Sequence, residues 1–130
     1  MQEIDKLLSN AENIELTLKK TLHKELGKRF KSEDLHSLGG ELKKITGFYQ
    51  RRLRAGVTNV DQEVLSLLDA NVPDRGKTSA YWRTIRSVLK SSLPELRKLK
   101  LSSENILFIL GWICRLLYLG EGVTKTPKGV

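Results

Sequence analysis

The sequence predicts an all-α fold: a single compact bundle of five or six helices over residues 1–121, followed by a mobile C-terminal tail over 122–130. Three observations predict it. Apolar residues recur at three- and four-residue steps along most of the chain, the period of one helix face. Nowhere do apolar and polar residues alternate convincingly over six positions, as a half-buried strand requires. Leucine dominates the apolar set and there are only three prolines, a mixture that favours helix over sheet.

The first helix reads from about Gln2 to Lys31, with Ile4, Leu7, Leu8, Ala11, Ile14, Leu18, Leu22 and Leu26 on one face and weak points at Asn10 and Gly27. Ser32, with two acids behind it, caps the second. Leu35, Leu38, Leu42, Ile45, Tyr49 and Leu53 carry that helix to Gly56. The Gly39–Gly40 pair inside it costs about 1 kcal/mol per glycine relative to alanine. It marks a short interruption or a close approach of another backbone, the former being the simpler reading. Thr58 and Asp61 have capping-box-like spacing and start a short third helix with Val60, Val64, Leu65, Leu67 and Leu68.

Residues Ala70 to Gly76 read as a loop on their Asn, Pro, Asp and Gly. The fourth helix runs from Ser79 to Ser92, and Pro94 opens a short fifth to Leu99. Ser102 or Ser103 caps the sixth, apolar nearly all round from Ile106 to Leu119, which places it at the centre of the bundle. Gly120 ends it.

With 130 residues the chain has the length of one ordinary domain. It buries enough surface to need no disulfide. The one cysteine, Cys114, lies in an apolar run, and the reading is a reduced, cytoplasmic protein. Acids and lysines interrupt residues 1–20, so no signal peptide is expected. The most apolar stretch has 14 residues and contains Arg115, short of the roughly 20 needed to span a bilayer.

Net charge is +8 and the pI about 9.7, and the surplus is local. Residues 1–34 hold seven basic and seven acidic residues, whereas 35–100 hold thirteen against six. A surplus confined to the middle of a small domain points to a binding surface.

Catalytic chemistry finds little support. His23 and His36 have no partners in metal-ligand spacing, so neither a metal nor a cofactor is expected. Most acids fall near helix starts, where they complement the helix dipole. Gly76-Lys77-Thr78 matches the end of a phosphate-binding loop but lacks its upstream glycine. The expectation is a protein that is not an enzyme.

Binding is better supported. Lys44, Arg51, Arg52 and Arg54 cluster on the second helix; Arg75, Lys77, Tyr81, Arg83, Arg86 and Lys90 cluster in the loop and fourth helix. Arginine grips phosphate bidentately. Tyr49 and Tyr81 lie close to these arginines in sequence and are placed to stack on an unpaired base, while Trp82 has the phase of a core residue. Lys20, Lys24, Lys28 and Lys31 form a weaker ridge on the first helix. A solvated helix face would interleave Glu with Lys. Residues 75–100 instead hold eight basic residues and one acid, Glu95. The third and fourth helices are joined by about ten residues, too many for a helix-turn-helix. Backbone binding without sequence specificity is therefore expected, and a basic adaptor docking an acidic protein is the alternative.

Tyr49-Gln-Arg-Arg-Leu-Arg54, Trp82-Arg-Thr-Ile-Arg86, Leu96-Arg-Lys-Leu99 and the greasy last helix together resemble the small subunit of CRISPR effector complexes. The type I-D version, similar to the C-terminal helical domain of that system's large subunit, is the nearest in look. The resemblance implies a non-catalytic subunit, present in several copies beside other effector subunits. It would steady a guide RNA–DNA duplex or a displaced single DNA strand while base pairing supplies sequence choice.

Overall fold

In the computed structural model the backbone of residues 2–70 and 76–129 and the side chains of 3–70 and 76–119 are described. Five α-helices form an all-helical bundle: α1 Gln2–Leu26, α2 Glu33–Arg54, α3 Val60–Ala70, α4 Gly76–Lys98 and α5 Ser103–Gly129. The expected loop, 70–76, falls mostly outside the described residues. So do the side chains of the expected tail.

α1 ends earlier than its periodicity predicts. Gly27 takes φ +55°, a left-handed conformation that stops the helix, and a short 3-10 turn covers Gly27–Arg29. Ser32 precedes α2 without a side-chain cap bond. Asp34 of the first turn instead reaches back to the chain ahead of the helix, its carboxylate accepting the Lys31 N–H at 2.7 Å. The helix passes unbroken through Gly39–Gly40. A Cβ on Gly39 would lie 3.1 Å from Leu117 Cβ and 3.4 Å from the Tyr118 backbone N. Close approach, not interruption, is what that glycine serves.

The capping box expected at Thr58 and Asp61 gives way to a longer-range use of the acid. Asp61 accepts hydrogen bonds from the Tyr49 hydroxyl at 2.8 Å and from Arg97 at 2.8 and 3.1 Å, joining α2, α3 and α4. α4 is one helix where two were expected, because it runs through Pro94. That proline is exposed, so the carbonyl it leaves unpaired meets water, while buried Leu93 and Leu96 hold the helix down on either side. Ser102 and Asn105 cap α5 reciprocally, Ser102 Oγ accepting the Asn105 N–H at 3.1 Å and Asn105 Oδ1 the Ser102 N–H at 3.3 Å. The helical backbone of α5 continues past Gly120, where the sequence suggested a stop.

The core draws on all five helices, and the periodic stripes of α1, α2, α3 and α4 supply most of it. α5 does not lie at the centre. It packs along α2 and α1 and leaves its far face to solvent, with Phe108 39% and Leu119 57% exposed.

Candidate nucleic-acid interface

The cations chosen from sequence divide sharply by the company they keep. Those on α4 reach to neighbouring helices. Lys77 Nζ stands 3.1 Å from Asp34 of α2, Arg83 3.1 Å from Glu25 of α1, and Arg86 2.8 Å from Asp69 of α3. The Arg86 Nε–H is not aligned on Asp69, so that contact is one of charge rather than a formed hydrogen bond. Arg83 also donates to Ser79 Oγ at 2.9 Å. These groups tie α4 to the rest of the bundle, and their charge is largely spent. Lys90 alone on this helix is exposed with no carboxylate partner among the described residues, and Arg75 lies outside them.

Tyr81 is a core residue rather than a stacking platform. Only 7% of it is exposed, and its hydroxyl donates to Asp34 Oδ1 at 2.6 Å. Burial and the adjacent carboxylate push that phenol up to about 12. Burial would raise the Asp34 carboxyl. Hydrogen bonds from Tyr81, the Lys31 amide and Lys77 outweigh it and hold the group below its ordinary value. Tyr49 is likewise fully buried, its phenol raised by burial and by Asp61.

On α2 the picture is mixed. Arg52 pairs with Glu63 of α3 at 2.7 Å, and Lys44 with Glu41 at 3.2 Å. Glu41 also accepts the Trp82 indole N–H at 2.9 Å, so this side of α2 faces α3 and α4. Arg51 and Arg54 are exposed and have no carboxylate partner among the described residues. Arg54 shares the helix face of Lys43, eleven residues before it, whereas Arg51 lies seven residues after Lys44, on that lysine's face, with its guanidinium turned back toward Gly47. The two arginine-rich segments of the sequence therefore do not merge into one continuous track. The lysine ridge of α1 is also broken, since Lys28 and Lys31 lie beyond its end at Leu26.

What α2 and α5 build instead is a groove of about 700 Å³. Gly39, Gly47, Gly111, Cys114, Tyr118 and Leu119 give it a mostly apolar floor; Lys43 and Arg115 contribute cations to its lining, and among the described residues no acid lines it. Gly111 faces open space, which is why the groove has room. The 43–47–50–54 spacing sets Lys43, Gly47, Gln50 and Arg54 on one face of α2. The Arg51 guanidinium folds back to within 3.4 Å of where a Gly47 Cβ would stand. At the other end the His36 ring lies 3.9 Å from that of Tyr118. Burial raises the Cys114 thiol, leaving it largely protonated near neutral pH.

No protein family, curated protein or solved structure matches this chain. Its own geometry is what remains. Among the described residues no three His, Cys, Asp or Glu side chains converge as metal ligands would, and no helix is long and apolar enough to cross a membrane.

Lys43 is the groove residue that sequence reasoning passed over in favour of Lys44. A single residue shifts the helical phase by 100°, from the groove to the α4 side. The available signal was Gly39, where α5 comes near, and Gly47 eight residues on, where the missing side chain leaves the groove open.

Proposed function

We propose that this protein is a non-catalytic module that binds nucleic acid by its phosphate backbone along the α2 edge of the α2/α5 groove. Lys43, Arg51 and Arg54 are the gripping residues. One observation carries the reading: on this edge the cations have no carboxylate partner among the described residues, whereas most of those on α4 do. Unpaired guanidinium groups exchange condensed counterions for phosphate without first breaking an internal ion pair. Contacts of this kind position a strand without specifying its bases. The role fits the CRISPR small-subunit resemblance, in which guide pairing supplies sequence choice and such a subunit steadies the strands.

The test is a titration of single-stranded and duplex oligonucleotides at about 50 mM salt and upward. Binding that barely depends on sequence and falls steeply with salt is expected. Absence of binding by both the isolated chain and its native assembly overturns the reading.

The apolar floor of the groove favours a second reading, a basic adaptor that docks an acidic protein segment. Native purification separates the two: the first brings down nucleic acid, the second a protein with no nucleic-acid absorbance.

A further inference from the structure

α5 buries Ile106, Ile109, Leu110, Ile113 and Leu117 against α1 and α2. Its opposite face carries Glu104, Phe108, Trp112, Arg115 and Leu119, at steps of four, four, three and four, the spacing of a second seam. Phe108 and Trp112 stack with ring centroids 6.3 Å apart and planes 9° from parallel. The Arg115 guanidinium sits 5.5 Å over the Trp112 ring, leaning along this seam. Glu104 and Arg115 are both exposed, and neither has an oppositely charged partner among the described residues. Phe108 and Trp112, large apolar side chains with a charge before and after them, mark an association surface.

The order of charges says what covers it. Glu104 lies four residues before Phe108 and Arg115 three after Trp112, so the midpoint of the charges falls at the aromatic pair. We propose that this seam is a two-fold self-association surface on which α5 of a second copy lies antiparallel. The axis passes beside residues 109 and 110. It sets Glu104 of each copy opposite Arg115 of the other and gathers the four aromatic rings at the centre. The eleven-residue separation spans about 16 Å of helix, so both ion pairs form at the rim of one apolar patch. Gly111, with open space beside it, lets the backbones draw close. A parallel arrangement would set like charges together and is disfavoured. The interface is isologous and closes at two copies. It shares Gly111, Arg115 and Leu119 with the α5 wall of the groove but none of the α2 residues Lys43, Arg51 and Arg54, and sedimentation without nucleic acid reads it independently of the binding proposal.

Sedimentation equilibrium of the full chain tests it. A dimer is expected, and Trp112→Glu should yield a monomer with its helical circular dichroism retained. Because Trp112 is partly buried, two exposed positions supply the deciding variants. Glu104→Arg alone and Arg115→Glu alone should each weaken the dimer by about tenfold, each single change turning both attractive pairs into repulsive ones. Combining them restores opposite charges across the axis and should return affinity to within about threefold of the parent. A chain still monomeric at about 100 μM overturns the proposal. A dimer indifferent to the single reversals, or one that the combined variant fails to restore, overturns it equally.

Discussion

The Lys77 ammonium stands 3.1 Å from the Asp34 carboxylate, tying the first turn of α4 to the first turn of α2. The Tyr81 hydroxyl and the Lys31 amide reach the same carboxylate at 2.6 and 2.7 Å. An almost fully buried acid is thus held by three donors, one from the chain just ahead of α2 and two from α4. Removing it leaves those donors without their acceptor.

Asp34→Ala is expected to lower stability to urea by about 3 kcal/mol, with most of the loss from the stranded Tyr81 and Lys31 donors, since Lys77 is partly solvated. The pH dependence follows the same carboxyl. Its folded-state pKa lies below the ordinary 3.8, so on acidification the unfolded chain takes up this proton first. The stabilisation is present in full above about pH 5 and drains away as pH falls through the ordinary value toward the lowered one. Asp34→Asn should flatten that acid limb. An unchanged limb would show that the carboxyl is not held as described.

Arg83→Ala and Arg86→Ala together should change oligonucleotide affinity by less than about threefold, because their charges are engaged with Glu25 and Asp69. Arg51→Glu with Arg54→Glu should weaken it by tenfold or more, and the salt slope should fall by about 0.7–0.9 for every phosphate no longer gripped. Fluorescence anisotropy at three salt concentrations measures both. The reverse ranking would move the interface to α4.

The contrast between these pairs shows what was legible from sequence. The stripe Leu35, Leu38, Leu42, Ile45, Tyr49 and Leu53 needs only the period of its own helix to be read, and all but the half-buried Leu53 are buried. The fate of a charge depends on residues far away. Arg83 finds its acid 58 positions back and Lys77 finds its own 43 back. A search for Glu four residues from Lys inspects one helix at a time, so it reports an unbalanced α4 that its neighbours have balanced. α5 misled for a related reason: apolarity all round is the mark of a central helix, yet Phe108, Tyr118 and Leu119 stand exposed on it. Phase, too, is unforgiving, as the exchange of Lys44 for Lys43 shows.

Gly39→Ala and Gly40→Ala should move stability in opposite directions. A methyl group on Gly39 meets Leu117 Cβ, the Tyr118 amide and the Cys114 carbonyl at 3.1 to 3.5 Å, atoms of the α5 backbone or fixed to it. None can swing aside, so α5 itself must shift, at an expected net cost of about 1–2 kcal/mol. Gly40 meets nothing within 4 Å. There the better helix propensity of alanine should stabilise by up to about 1 kcal/mol. Thermal unfolding of the two variants checks the pair, and equal signs would place the α2/α5 contact elsewhere.

Pro94 is exposed in the interior of α4, where it withholds one helical hydrogen bond and its ring crowds the preceding turn. Alanine there restores the bond from position 94 to the Lys90 carbonyl, and the helix is already continuous on both sides. Against that gain stands the loss of proline's restriction of the unfolded chain, about 0.4–1 kcal/mol. The helical penalty of proline, about 3 kcal/mol in an ideal interior, is the larger quantity. Pro94→Ala should therefore stabilise the protein by about 1–2 kcal/mol, read as a higher urea midpoint at unchanged slope. A destabilised variant would mean instead that two helices meet at Pro94 and that the ring sets the angle between them.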